Sequence, residues 1–296
     1  MIVTPMMFNR RLQSSEADLW LDLYEKSTER SLQNRDAART YLNSPNAVTY
    51  VTMLDNTPIG GTCVMRDPTR LAMLLSAVAI DREHRDRLTY SLVKSSLPFF
   101  RTVAIRDVDA LVCKEGHPSL GFPYGIEQEP WIHDVLLRAG FKDEQELTYA
   151  QVDLDESRQR GVGLSLKPLS HLEPGRELVW EVGRKTGLAN SATWTSLHFA
   201  QDLGKLYAVT SGEHIIMLTS MHLLGSKMIV GPVVHDSRNV PVESAAAAIL
   251  GDAADRGADE VVLTMVGEGQ RDLLDAFRDL TGSMDTREVV LMRKLL

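Results

Sequence analysis

The feature that most constrains this chain is an order of short segments that occurs twice. Val78-Ala79-Ile80-Asp81 is matched by Val233-Val234-His235-Asp236, an offset of 155. Arg106, Asp109 and Val112 are matched by Arg256, Asp259 and Val262, an offset of 150. Around both sets the same succession appears: strand, helices, hairpin, apolar strand, helix, strand, helix, strand. A recurring succession of this kind points to an internal duplication. It predicts two units in tandem, 1–154 and 164–296, joined by a polar linker at 155–163 whose sequence Asp155-Glu-Ser-Arg-Gln-Arg-Gly-Val-Gly163 has no core character. Strands interleaved with helices predict the α/β class: a twisted, mixed (α+β) sheet in each unit with helices on both faces.

Hydrophobic spacing supplies the elements. In the first unit, Ile2–Phe8 reads as a short strand, followed by an amphipathic helix from Ala17 to about Arg30 and a second helix at about Asp36–Leu42. Val48–Leu54 and Ile59–Met65 flank Asp55-Asn56-Thr57-Pro58, which is turn chemistry and predicts a hairpin. Leu71–Ile80 is continuously apolar, as in a strand covered on both faces. A helix over about 83–100, a strand at Val108–Cys113, a helix at about Trp131–Ala139 closed by Gly140, and a strand at about 147–154 complete it.

The second unit reads as strand 164–169, helix 173–185, a helical or irregular piece around 194–203, strands 206–210, 215–223 and 228–234, helix 241–255, strand 260–266, helix 271–280 and strand 287–292. Pro241 suits the first turn of its helix. Gly231-Pro232 reads either as a bulge or as a packing kink.

Composition narrows the function classes. A net charge of −8 gives no electrostatic reason to expect nucleic acid or an anionic membrane as partner. Cys63 and Cys113 both lie in apolar runs and form no disulfide framework, which fits buried thiols in a reducing, cytoplasmic setting. No secretory leader or membrane span is read. The histidines lack metal-ligand spacing, and no P-loop, dinucleotide fingerprint or Gly-x-Ser-x-Gly elbow occurs. Trp20, Trp131, Trp180 and Trp194 read as core or interface anchors.

The first unit, and more loosely the second, resembles the GNAT superfamily of N-acyltransferases. Leu75-Ser-Ala-Val-Ala-Ile-Asp-Arg-Glu-His-Arg85 looks like that family's fourth strand and exit turn, and Val135-Leu-Leu-Arg-Ala-Gly-Phe141 like its late helix ending in Gly-Phe. The resemblance implies acetyl-CoA or another acyl-CoA as co-substrate and an amine acceptor, small molecule or peptide. It implies a donor paired along Val78, Ala79 and Ile80, with its pyrophosphate at the helix start formed by Arg85, Asp86, Arg87, Leu88, Thr89 and Tyr90. The family's motif is Arg/Gln-x-x-Gly-x-Gly/Ala; here Leu88 and Tyr90 stand where small residues belong, and no glycine occurs between Gly61 and Gly116.

Two readings of the turn stay open. In one, Arg82, Arg85 and Arg87 neutralise phosphate while Thr89 donates its hydroxyl. In the other, these arginines alternate with Glu83 and Asp86 as a solvated helix start. At the family's usual catalytic tyrosine stands Leu136, and the central strand offers only Ser76, so the catalytic group is unassigned, with His117 and Tyr124 as weak candidates in the Gly/Pro loop 115–125. Gly267-Glu268-Gly269 before a helix reads as an anion site or a plain tight turn. The expected activity is acyl-CoA-dependent N-acylation. Its rivals are a non-catalytic GNAT-fold ligand-binding or assembly module and a transferase using another donor, such as aminoacyl-tRNA. Homodimerisation is left open.

Overall fold

A computed structural model describes residues 6–67, 69–97, 105–114, 127–154 and 164–296. The loop candidates His117 and Tyr124 and the linker 155–163 lie outside the described residues. Two compact units are present: Met1–Glu144 with Val290–Leu296, and Gln145–Val289.

Unit 1 begins with β1 (Met7–Arg11), α1 (Ala17–Thr28), α2 (Arg35–Leu42), and the hairpin of β2 (Ala47–Leu54) and β3 (Thr57–Asp67). Of the strand expected at Ile2–Phe8, residues 2–5 lie outside the described residues, and the described strand runs on to Arg11. The hairpin turns at Asp55 and Asn56, both at positive φ, a region short polar side chains tolerate. Next come β4 (Ala72–Ile80), α3 (Arg85–Ser96), β5 (Asp107–Cys113), the two-residue β6 (Glu127–Gln128) and α4 (Ile132–Arg138). Met73, Leu75, Val78 and Ile80 of β4 join α3 (Leu92, Val93) and α4 (Ile132, Val135, Leu136) in one core. Trp20 of α1 lies on the opposite face, against the backbone of Gly61 and Tyr50. Helices therefore cover both faces.

Unit 2 takes its first strand from β7 (Lys142–Asp153) and continues through β8 (Lys167–Pro168), α5 (Arg176–Thr186), α6 (Ser191–Asp202), β9 (Leu206–Ser211), β10 (His214–Leu224), β11 (Lys227–Val230), β12 (Val234–His235), α7 (Val242–Asp255), β13 (Glu260–Gly267), α8 (Arg271–Thr281) and β14 (Asp285–Leu295). Its strand order is β7-β13-β11-β10-β9-β8. Ala245, Ala246 and Ile249 of α7 pack with Leu273 and Phe277 of α8 and the sheet residues Met228, Val230 and Val261.

Several expectations change. Strand 164–169 shrinks to Lys167–Pro168. Strand 228–234 is interrupted at Gly231–Val233, where Gly231 comes so close to Ser220 that a Cβ would stand 2.1 Å from its Oγ. The piece around 194–203 is a regular helix, capped by Asn190, whose side chain accepts from Thr193 N. Pro241 is the residue before the helix, not its first turn. The offset of 150 is out of register: Leu74 pairs with Asp109 and Ile229 with Val262, so Asp109 corresponds in the sheet to Val262 and not to Asp259.

The division at 155–163 also differs from the units observed. Residues 145–153 of β7 pair antiparallel with β13, Asp153 facing Glu260, and so belong to unit 2. Residues 290–296 belong to unit 1. There Arg293 Nε donates to fully buried Asp109 Oδ1 at 2.7 Å, Nη2 to Oδ2 at 3.2 Å, and Nη1 to Glu144 at 3.1 Å. Among the described residues, no helix is long and apolar enough to cross a membrane. Removing one partner of a buried ion pair leaves an uncompensated charge. Arg293→Met is therefore expected to cost unit 1 about 3 kcal/mol in denaturant unfolding, while Glu144→Gln costs well under ~1 kcal/mol.

Candidate functional site

The site of unit 1 is the place where two parallel strands part. β4 and β5 pair only at Ala72–Leu74 with Asp107–Asp109. Further along, the backbone of β6 pairs with Leu111 and Val112 of β5 and lies against β4. Residues 127–128 thus enter the gap between the two strands. On the other edge of β4, Gly60, Gly61 and Thr62 pair with Ile80, Ala79 and Val78. Asp81 N–H turns to Ile59 O, so the amide of Ile80 points the other way, into the gap.

That amide is already satisfied. Ile80 N–H donates to Ser27 Oγ at 3.0 Å. Ser27 also accepts, through its carbonyl, Arg85 Nη2 at 2.6 Å. The Arg85 guanidinium lies 4.5 Å over the ring of Trp131. Lys26 pairs with Asp81 at 2.9 Å, Arg82 with Glu29 at 2.7 Å, and Arg30 with Glu129 at 3.4 Å. Glu29 closes α1 in the left-handed conformation (φ 56), which turns this run of polar residues onto the start of α3.

The residues expected to hold a pyrophosphate divide accordingly. Val78, Ala79 and Ile80 line the gap. Arg85 is committed to α1. The Thr89 hydroxyl, expected to donate to phosphate, donates instead to Arg85 O within the helix. Leu88 and Tyr90 pack toward the unit 1 core. Asp86 and Arg87 are exposed at the opening turn of α3, where helix amides lack intrahelical partners, and among the described residues the Arg87 side chain makes no hydrogen bond or ion pair. Ser76 is buried and donates to Cys63 O, and Leu136 is fully buried. These residues suit an anion at Arg87. Along β4 the edge beside the gap is held in this structure by Ser27 and by the backbone of residues 127–128.

Unit 2 repeats the geometry with other occupants. β11 pairs with β13 only over Lys227–Val230, and beyond the break at Gly231 the chain follows β10 as β12. Gln270, buried, spans the parting: Nε2 donates to Val233 O at 2.7 Å and Oε1 accepts Gly267 N–H at 3.1 Å. Gly267 and Gly269 let the end of α5 approach; a Cβ on either would stand 1.8 Å from Thr186 O or 2.5 Å from Lys185 O. Carbonyl oxygens repel anions, so the Gly267–Gly269 turn is a close-packing turn. At the start of α7 the Asp236 carboxylate accepts from Arg238 N, Nε and Nη2 and from Asn239 Nδ2. Asp236, the counterpart of Asp81, thus ties down the turn that leads into α7. His235 is buried and held toward its neutral form, first by desolvation.

One feature carried no sequence signal. On α6, Thr193 Oγ1, Trp194 Nε1 and Thr195 Oγ1 are buried and make no hydrogen bond among the described residues. Trp194 sits in a row with Trp180 (5.4 Å) and His198 (6.4 Å). His198 is held below its ordinary pKa by desolvation and then by Arg176. Helical spacing aligns 194, 195 and 198, but polarity inside a buried face is invisible to periodicity.

No family model matches the chain, and no curated protein does. Solved structures do. A GCN5-related N-acetyltransferase from Sphaerobacter thermophilus superposes with a TM-score of 0.61 at 13% identity, over 98% of this chain and 95% of its own. A tandem GNAT protein from the clavulanic acid biosynthesis pathway gives 0.63 at 13% identity, over 98% of both chains. A GCN5-related N-acetyltransferase from Anabaena variabilis gives 0.59 at 14%, over 98% of this chain and 73% of its own. The fold is that of the GNAT acetyltransferases.

Two outcomes are expected in unit 2. Hydrogen bonds, the side chain of Arg238 first, lower the Asp236 carboxyl to about 2. A carboxyl lowered in the folded state contributes stability above its ordinary value, lost as pH falls through about 2. NMR titration should place its midpoint there, and Arg238→Ala should raise it. Thr195→Val, which removes a buried hydroxyl without a partner, should stabilise the protein by about 1 kcal/mol in thermal or denaturant melts.

Proposed function

We propose that the protein is an acyl-CoA-dependent N-acyltransferase, with acetyl-CoA the expected donor, acting on an amine of a small molecule or peptide. One observation carries the reading: on this fold, β4 and β5 part next to a helix start whose exposed Arg87 makes no hydrogen bond or ion pair among the described residues. The solved relatives named above are described as acetyltransferases, which supports the same class of reaction. The donor belongs to unit 1, its phosphates at the opening turn of α3 beside Arg87 and its arm along Val78–Ile80.

An acyl-CoA supplies a thioester that an amine attacks directly, and the chain's part is to bind, orient and exclude water. No described side chain is assigned as acid or base, because Ser76 is committed to Cys63 O and Leu136 is apolar. His117 and Tyr124 keep their place as weak candidates. The free, buried Cys63 and Cys113 support a reducing, cytoplasmic setting.

A second reading, a non-catalytic ligand-binding or assembly module, is favoured by the internal occupants of unit 2: the Asp236 carboxylate in the turn and Gln270 across the parting. Calorimetry separates the two. Under the transferase reading, acetyl-CoA or a longer acyl-CoA binds saturably, and Arg87→Ala weakens it about five- to tenfold, the loss of one charge-assisted contact. Heat silence across all donors, with a normal melting curve, establishes the module instead.

A further inference from the structure

The end of α1 bonds Ile80, Asp81, Arg82 and Arg85 in the turn beside the donor's proposed place. Ser27 accepts the Ile80 amide with its hydroxyl and the Arg85 guanidinium with its carbonyl. Its neighbours Lys26 and Glu29 hold Asp81 and Arg82. These bonds join residues more than fifty positions apart, so neither helix needs them for its own hydrogen bonding. In unit 2 the last turn of the corresponding helix, α5, also comes close, with Lys185 O and Thr186 O packed against Gly269 and Gly267 at the end of β13. In each half, the C-terminal turn of one helix lays carbonyl or hydroxyl oxygens on the rim of the parted strands.

We infer that Ser27 is a built-in competitor for the acyl donor: it holds the Ile80 amide that the donor's arm must pair with, and so sets donor affinity in unit 1. The inference rests on the acyl-CoA reading above. Two hydrogen bonds link Ser27 to this region, and only the hydroxyl bond is removed by a side-chain change. The Arg85–Ser27 carbonyl bond survives substitution, which makes Ser27→Ala a narrow perturbation. A net hydrogen bond of ordinary strength corresponds to about a three- to tenfold change in binding.

The test is a calorimetric titration of the full chain with acetyl-CoA, comparing wild type, Ser27→Ala and Ser27→Thr. Each is first checked by thermal melting, and exchange of the Ile80 amide is followed by NMR. The expected result is about three- to tenfold tighter binding for Ser27→Ala, wild-type affinity for Ser27→Thr, and faster Ile80 exchange only in the alanine variant. If Ser27→Ala does not fold, Ser27→Cys, a weaker acceptor of similar size, is expected to shift affinity in the same direction. Unchanged or weaker binding by a folded Ser27→Ala overturns the inference and leaves the donor reading intact. Absence of binding in all three proteins sinks the donor reading, and the inference with it.

Discussion

Two parallel strands that stop pairing halfway are the constraint on which the rest of each unit depends. A buried strand edge cannot be left bare, because an unpaired backbone N–H or C=O away from water costs about as much as a lost hydrogen bond. Wherever β4 leaves β5, or β11 leaves β13, some other group must answer the freed amides and carbonyls. In a GNAT fold a ligand is one answer. This chain supplies its own: Ser27 and the backbone of β6 in unit 1, Gln270 in unit 2.

Charge reinforces the distinction between the halves. Unit 1 opens its helix with arginines, two of them engaged by Glu29 and the Ser27 carbonyl, one in solvent. Unit 2 opens its helix on a carboxylate whose hydrogen bonds come from its own turn. There Arg238 is spent on the Asp236 carboxylate. The two halves share a carboxylate at the matched position, Asp81 and Asp236, and differ in what answers it: Lys26 of α1 in unit 1, Arg238 of the same turn in unit 2.

Much of the plan was legible. The apolar run ending at Ile80, the turn at Asp55-Asn56, the alanine-rich helix and the glycine after Ala139 each have a local cause, and each element appears where that cause operates. What escaped has non-local causes. Whether β7 pairs with one half or the other depends on partners far along the chain, and a strand pattern does not name its neighbour. The offset of 150 matched three side chains yet missed the sheet register, because identity at three scattered positions is weaker than four consecutive pairings between β11 and β13. At the site, Arg85 and Thr89 were visible as residue types, but their partners, Ser27 O and the helix's own carbonyl, are matters of distance. Ser27 and Gln270 lie in ordinary helical patterns and gave no signal.

The assignment of residues 290–296 to unit 1 bears on how the molecule is made. During synthesis residues 1–144 emerge before unit 2, yet Asp109 must wait for Arg293, 184 positions later. A buried carboxylate without its cation is a poor end state, so this half cannot complete its native arrangement on the ribosome while the later half is still being translated. Translation through Arg293 is the event that lets it close, and loss of residues 290–296 damages the half that is farthest away in sequence.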